Sequence, residues 1–194
     1  MSLVLIKGLS GELMVAPNQS DIQKAYRESL SKKDTQLCER IKCIYDLVVL
    51  RDSLELTDGD LDILQLGGLY QDTKRTVKRL RVSLHSHHIP AQSVQNDNKK
   101  NLSTVVITGE DHKKTDSFLW KSITRHQSFL SDVSKSQSYK NEAKQMINDG
   151  RFAELVEKEV FNIRDQFGNK YDGGIKQYFD AIIEYIGEYG IPKW

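Results

Sequence analysis

The chain has 194 residues, with 28 basic and 27 acidic side chains, and 38% of the residues are apolar. This length suits one sizeable domain or two small ones. The composition excludes collagen-like, low-complexity and disordered proteins, and no apolar run approaches the ~20 residues that a membrane-spanning helix needs.

The charges are unevenly distributed along the chain. Residues 1–65 carry 8 basic and 11 acidic side chains, residues 66–126 carry 11 and 5, and residues 127–194 carry 9 and 11. The densest group of cations in the middle third is Lys74, Arg75, Lys78, Arg79 and Arg81. Such a group attracts polyanions. The same pattern also fits an ordinary solvated face, so the residues alone leave both interpretations open.

The two cysteines, Cys38 and Cys43, lie five residues apart in a predicted helix. This spacing directs them to different faces, so we expect no local disulfide and a reducing compartment. The segment Met1–Lys7 lacks the length and the basic lead-in of a secretory signal peptide. We therefore expect the protein to be cytoplasmic at synthesis.

The first part of the chain predicts helices. Ser20-Asp21 begins a capped amphipathic helix, and an apolar stripe predicts a second helix over about residues 34–53. Gly67-Gly68 is expected to break the chain. We place a domain boundary here, between a small helical segment of residues 1–66 and a second domain of residues 67–194.

The middle of the chain predicts two strands followed by a helix. Residues 80–85 alternate apolar and polar side chains, which indicates a short strand. Residues 91–101 are polar and predict a loop, and the β-branched run Ser103–Thr108 predicts the next strand. Residues 110–115 begin a helix with acidic residues in its first turn, where the helix dipole favours them.

Helical periodicity continues towards the C-terminus. It predicts helices over residues 139–148, over residues 152–167, and from about Tyr178 to Gly190. We interpret these helices as packing that supports the two predicted strands.

The histidines are concentrated in the basic third of the chain. All five lie there: His85, His87, His88, His112 and His126. Histidines at this density are typical of metal binding or proton transfer. A chance group of surface histidines would give the same pattern.

Five short sequence blocks follow one another between residues 67 and 190. They are Gly67-Gly68-Leu69-Tyr70, His87-His88-Ile89-Pro90-Ala91-Gln92-Ser93, Asp111-His112-Lys113-Lys114-Thr115, Asp149-Gly150-Arg151-Phe152 and Phe167-Gly168-Asn169-Lys170-Tyr171-Asp172. This series resembles the HNH-type (His-Me finger, ββα-metal) nuclease domains of bacterial polymorphic toxins. Those domains share a glycine-tyrosine start, an HHxPxxS block, a DHxxT block and a closing GxKY segment.

The resemblance implies an α+β fold that is mostly helical. Its centre would be a ββα-metal finger, in which a short two-stranded hairpin packs on a helix. The C-terminal helices would support the finger.

The resemblance also implies roles for particular residues. His88 would be the general base, and His87, its partner in the catalytic pair, would be a metal ligand. His112 would be the second ligand, with Asp111 as the alternative. The asparagine that orients the base could be Asn96, Asn98 or Asn101. The cofactor would be a divalent ion, with Zn, Ni or Mn suiting nitrogen ligands better than Ca, and Mg also allowed.

The cationic group leads directly into this predicted site, which favours nucleic-acid contact over a solvated face. Lys113, Lys114 and Thr115 would contact phosphate or hold a ligand in place. His85 is interpreted as the exposed face of a strand, and His126 as a surface residue or a phosphate contact.

The resemblance implies a metal-dependent endonuclease toxin that hydrolyses DNA in a target cell. Such a toxin is exported by a specialised secretion system, acts in the target-cell cytoplasm and needs a cognate immunity protein. Residues 1–66 could contact a secretion adaptor. RNA is an alternative substrate. Two other functions fit the residues: a non-catalytic nucleic-acid-binding module, and a helical protein-interaction module with incidental histidines.

Overall fold

The structure of the protein is a computed structural model that describes residues 5–7, 13–15, 19–31, 33–57, 64–80, 83–91, 94, 102–115 and 129–192. Its strands are β1 Leu5–Lys7, β2 Leu13–Val15, β3 Gly67–Leu69, β4 Leu84–His88 and β5 Ser103–Thr108. Its helices are α1 Gln19–Ser31, α2 Thr35–Ser53, α3 Tyr70–Leu80, α4 Gly109–His112, α5 Phe129–Asn148, α6 Phe152–Phe167 and α7 Asp172–Tyr189.

The described residues are mostly helical, with two small antiparallel sheets, which confirms the predicted α+β class. β1 pairs with β2, and the second sheet has the strand order β3-β5-β4. The predicted hairpin strands β4 and β5 are antiparallel neighbours, with Leu84 opposite Thr108 and His88 opposite Thr104. α4 follows β5 directly, so the strand, strand and helix occur in the predicted order.

The central sheet has a third strand that the sequence did not predict. Gly67 and Gly68 do not break the chain but pair with β5, Gly67 lying opposite Val105. A Cβ atom on Gly67 would lie 1.8 Å from the carbonyl oxygen of Gly174 in α7. Glycine is therefore needed at position 67 because backbone packs directly against backbone where β3 crosses α7.

The predicted strand over residues 80–85 is also corrected. Leu80 is the last residue of α3, and β4 begins only at Leu84. The basic residues before it follow a helical pattern, in which Thr73 and Thr76 are buried on one face and the cations are exposed on another. The six-residue alternation was too short to outweigh this helical period.

The helices agree with the predicted positions more closely. α2 begins after Asp34, whose side chain accepts a hydrogen bond from the Leu37 amide at 3.0 Å. α6 ends at Gly168 as predicted, whereas α5 begins at Phe129, ten residues before the predicted start. Across the described ranges, no helix combines the length and the apolar character that crossing a membrane would require.

One hydrophobic core includes side chains from both sides of the predicted boundary at residues 66 and 67. Ile44 and Leu47 of α2 belong to the same buried cluster as Tyr178 and Ile182 of α7. A hydrogen bond also crosses the predicted boundary, because Arg164 donates to the Leu54 carbonyl at 2.7 Å. The boundary therefore does not coincide with a break in the core.

Candidate histidine site at the edge of the sheet

Strand β4 presents different histidines on its two faces. Side chains alternate along a strand, and directly paired residues of antiparallel strands share a face. His85 and His87 therefore lie on the face that carries Ile107 and Val105, their partners in β5. His88 lies on the opposite face with its partner Thr104.

The one-turn helix α4 is held close to β4 by its first residues. Thr108 caps the helix, its hydroxyl accepting from the Asp111 amide at 3.1 Å, and the Gly109 amide donates to the Ser83 carbonyl at 2.8 Å. A Cβ atom on Gly109 would lie 3.1 Å from His85 Nε2. The glycine thus allows the helix to approach the strand closely enough for His112 to reach β4.

His85, His87 and His112 form what we call the imidazole cluster. The Nδ1 atoms of His85 and His112 are 2.9 Å apart, and their ring centroids are 5.1 Å apart. The rings of His87 and His112 are 5.0 Å apart and nearly perpendicular. His87 is buried, His112 is half-buried and His85 is exposed. The cluster therefore runs from the interior to the surface at the edge strand β4.

Burial keeps the inner members of the cluster uncharged. Burial, followed by the charge of His85, lowers the pKa of His112 to about 4. Burial, followed by the charges of His112 and His88, lowers the pKa of His87 well below its usual value. A neutral imidazole keeps a nitrogen lone pair that can ligate a metal.

The Nδ1 atoms of His85 and His112, 2.9 Å apart, are within hydrogen-bond distance, one ring donating and the other accepting. Two nitrogen ligands with bonds of about 2.1 Å lie about 3 Å apart at the right angles of an octahedral ion and about 3.4 Å apart around tetrahedral zinc. The observed spacing is thus close to the octahedral value. Within the described ranges, however, no three or more His, Cys, Asp or Glu side chains are arranged as a metal-binding group. The pair thus supplies part of a ligand set.

The structure does not bring His88 to His112, which corrects the predicted grouping of these residues around one cation. The His88 ring stacks on Tyr70 with centroids 5.0 Å apart, and the Lys74 ammonium lies 5.4 Å from the Tyr70 ring centroid. The reason is the period of the strand: consecutive residues point to opposite faces, so His87 and His88 cannot both face α4. The predicted meeting of His87 and His112 is found.

His85 is the member of the cluster that sequence reasoning did not assign to the site. It is exposed, as expected for the outer face of a strand, yet its ring contacts His112. The signal was available in the H-x-H spacing of His85 and His87, because residues two apart on a strand share a face.

Asp111, the alternative predicted ligand, is engaged elsewhere. Its Oδ2 atom accepts hydrogen bonds from Lys170 Nζ and from the Tyr171 hydroxyl, both at 2.6 Å. The bonds from Lys170 and Tyr171 hold the pKa of this carboxyl well below its usual range. The carboxylate therefore faces the turn between α6 and α7 and does not join the imidazole cluster.

The predicted phosphate contacts lie on both sides of the sheet. The cationic face of α3, which consists of Lys74, Arg75, Lys78 and Arg79, is exposed. α3 packs on the His88 side of the sheet, where Thr73 Oγ1 lies 2.6 Å from Thr104 Oγ1. These cations are thus across the sheet from the imidazole cluster. Among the described strands β4 is the last in the sheet, so the two faces meet along it.

The residues after His112 differ in their surroundings. Lys113 and Lys114 are exposed, and Lys114 lies 3.5 Å from carboxylate oxygens of both Glu110 and Asp111. Thr115 is buried and donates its hydroxyl to the His112 carbonyl at 2.9 Å, which closes the turn after α4. Predicted residues outside the described ranges are Arg81, Asn96, Asn98, Asn101 and His126.

Buried polar groups of the C-terminal helices hold the chain just after β4. The Tyr178 hydroxyl donates to the Ile89 carbonyl at 3.0 Å. The Ala91 amide donates to Glu159 Oε1 at 3.4 Å, and the Tyr139 hydroxyl donates to the same carboxylate. The contacts to Ile89 and Ala91 have no local sequence signal, because they join residues 89 and 68 positions apart.

Comparison of the chain with protein-family models, with curated proteins and with solved structures finds no match. The resemblance to HNH-type toxin nucleases therefore stays a prediction from the order of the five sequence blocks.

Proposed function

We propose that the protein is a metal-dependent endonuclease toxin that hydrolyses phosphodiester bonds of DNA in target cells. The observation that carries the proposal is the imidazole cluster: three histidines from β4 and α4 lie together on one face of β4, two of them held neutral by burial. Neutral imidazoles beside exposed cations suit the hydrolysis of a charged phosphodiester.

The residues proposed to hold the metal are His85 and His112, through their adjacent Nδ1 atoms. The ion would be Zn, Ni, Mn or Mg. When bound, it would supply a water of lowered pKa and would offset negative charge on the phosphate.

His87 is proposed to accept the proton of the attacking water. Its ring packs edge-on against that of His112, one of the proposed metal ligands. Lys113 and Lys114, which follow His112 directly, would attract the phosphate. The cationic face of α3 would hold the nucleic-acid backbone across the β4 edge.

The test is a cleavage assay on plasmid DNA, linear DNA and RNA. The purified protein is incubated with Zn, Ni, Mn or Mg, or with EDTA. We expect nicking and linearisation of plasmid with at least one metal, and none with EDTA. Intact plasmid with every metal contradicts the proposal. Cleavage of RNA alone would change the substrate while keeping the reaction class.

A second candidate function is a non-catalytic nucleic-acid-binding module. It is favoured by the four exposed cations of α3, together with the lack of a complete metal-binding group in the described part of the chain. This module would bind DNA with strong salt dependence and would leave it intact with every metal.

The toxin proposal implies a protective partner and a route of delivery. An acidic immunity protein that covers the cationic face of α3 would neutralise the toxin, and residues 1–66 would contact a secretion adaptor. Co-expression tests the first point: growth arrest by the toxin alone, relieved by the cognate immunity protein, is the expected result. Normal growth with the toxin alone contradicts it.

A further inference from the structure

We propose that Asp111, Lys170 and Tyr171 form a latch that positions His112, and that Asp111 acts through this latch and not as a metal ligand. This inference rests on the proposed metal site at His85 and His112. It concerns how the short element that carries His112 is kept in place.

The need for a latch follows from the length of α4. A helix of four residues has almost no internal stability, because forming the first helical turn is unfavourable. His112 is the last residue of this helix, yet its Nδ1 atom lies 2.9 Å from that of His85. The position of His112 must therefore be fixed by contacts outside the helix.

The contacts that fix α4 converge on Asp111, the residue beside His112. Asp111 is 7% exposed, and its Oδ2 atom accepts from both Lys170 and Tyr171 at 2.6 Å. The Tyr171 hydroxyl also accepts a bond from the Thr108 amide at 3.2 Å, at the start of the helix. The Tyr171 hydroxyl thus contacts residues near both ends of α4.

The latch is attached to a buried and well-packed part of the protein. Tyr171 is buried and directly precedes α7, which packs against β3 and β5. The sequence blocks around Asp111 and Lys170 are 59 residues apart, and the latch gives a physical reason for their occurring in one chain. Loss of the latch should loosen His112 while leaving the hydrophobic core intact, because no core side chain is removed.

The variants for the test are Asp111→Asn and the milder Tyr171→Phe, which removes only a hydroxyl. Lys158→Met is the matched control, since it breaks a 2.6 Å ion pair with Glu142 on the exposed surface of the helices. His112→Ala provides the reference for loss of a proposed ligand. Thermal melts establish that each variant is folded.

Three readouts are measured on these proteins. In metal-free protein, we expect the NMR ring signals of His85 and His112 to shift in both latch variants and not in the control. With Zn²⁺, we expect calorimetry to show affinity about 10–100-fold weaker in the latch variants, the range for groups that orient a ligand. In plasmid cleavage, we expect kcat to fall and KM for DNA to stay unchanged.

Two results would overturn the inference. Ring signals that stay in place in both latch variants would show that the latch does not position His112. Loss of metal binding in Asp111→Asn as complete as in His112→Ala, with Tyr171→Phe binding normally, would make Asp111 a direct ligand. If the wild type binds no metal, the proposed function fails, and the ring signals still decide the latch.

Discussion

At the scale of single residues, the imidazole cluster depends on histidines that stay uncharged. The pKa of His112 is lowered from 6.5 to about 4, so the unfolded chain takes up a proton at a higher pH than the folded protein does. The free energy of unfolding that His112 contributes is therefore present above about pH 6.5 and is lost as the pH falls towards about 4.

This linkage can be measured by urea denaturation in EDTA at several pH values between 7.5 and 4.5. We expect the wild type to lose more stability over this range than His112→Asn, which has no imidazole to protonate. Equal losses in the two proteins would show that His112 has an ordinary pKa in the fold.

The residues of the site were only partly predictable. A sequence shows which residues are neighbours along the chain, but not which distant residues become neighbours in the fold. His87 and His112 meet as predicted, since strand, strand and helix occur in the expected order. His85 and His88 lie on opposite faces of β4. Predicting this required knowing which residues form the strand. The partners of Asp111 lie 59 and 60 residues away and have no local signal.

At the scale of elements, the position of β3 against α7 depends on glycine 67. A Cβ atom there would lie 1.8 Å from the backbone oxygen of Gly174, and backbone cannot move aside cheaply. We expect Gly67→Ala to lower the free energy of unfolding by about 3 kcal/mol or more, at the upper end for overpacking. Chemical denaturation measures the loss.

The matched control is Gly150→Ala. Gly150 has φ +73° and no atom within 4 Å of the added Cβ, so only backbone strain of about 1 kcal/mol is expected. Equal losses in the two variants would mean that the contact between β3 and α7 is not tight.

Elements were predicted best where the apolar periodic pattern was long. α2 and α6 were predicted from such patterns, and in the structure α2 is capped by Asp34 and α6 by Gly168. β3 was missed because a Gly-Gly pair is typical of a break, and its strand conformation depends on pairing with β5. Tertiary contact overrides local propensity in this case.

At the scale of the whole molecule, the proposal joins the cationic face of α3 and the imidazole cluster across one edge of the sheet. The cationic face of α3 and the imidazole cluster lie on opposite sides of the sheet. A nucleic acid that bridges the β4 edge would contact both. We expect the charge reversal of Lys74 and Lys78 to glutamate to raise KM for DNA at least about tenfold, with kcat little changed.

The matched control for this charge reversal is Lys24 and Arg27 to glutamate, because these are two exposed cations on another helix, α1. Steady-state cleavage by the two double variants is compared at several salt concentrations. Equal effects of both pairs on KM would indicate general attraction by net charge and would contradict a specific role for α3.

The central claim, that the histidines on one face of β4 carry the reaction, is tested most directly by metal-dependent plasmid cleavage with His85→Ala and His88→Ala. Both variants remove one imidazole from the same strand, one from each face. The structure predicts that His85→Ala loses at least about a hundredfold in rate, while His88→Ala stays within about tenfold of the wild type. Full activity in His85→Ala with none in folded His88→Ala would contradict the claim.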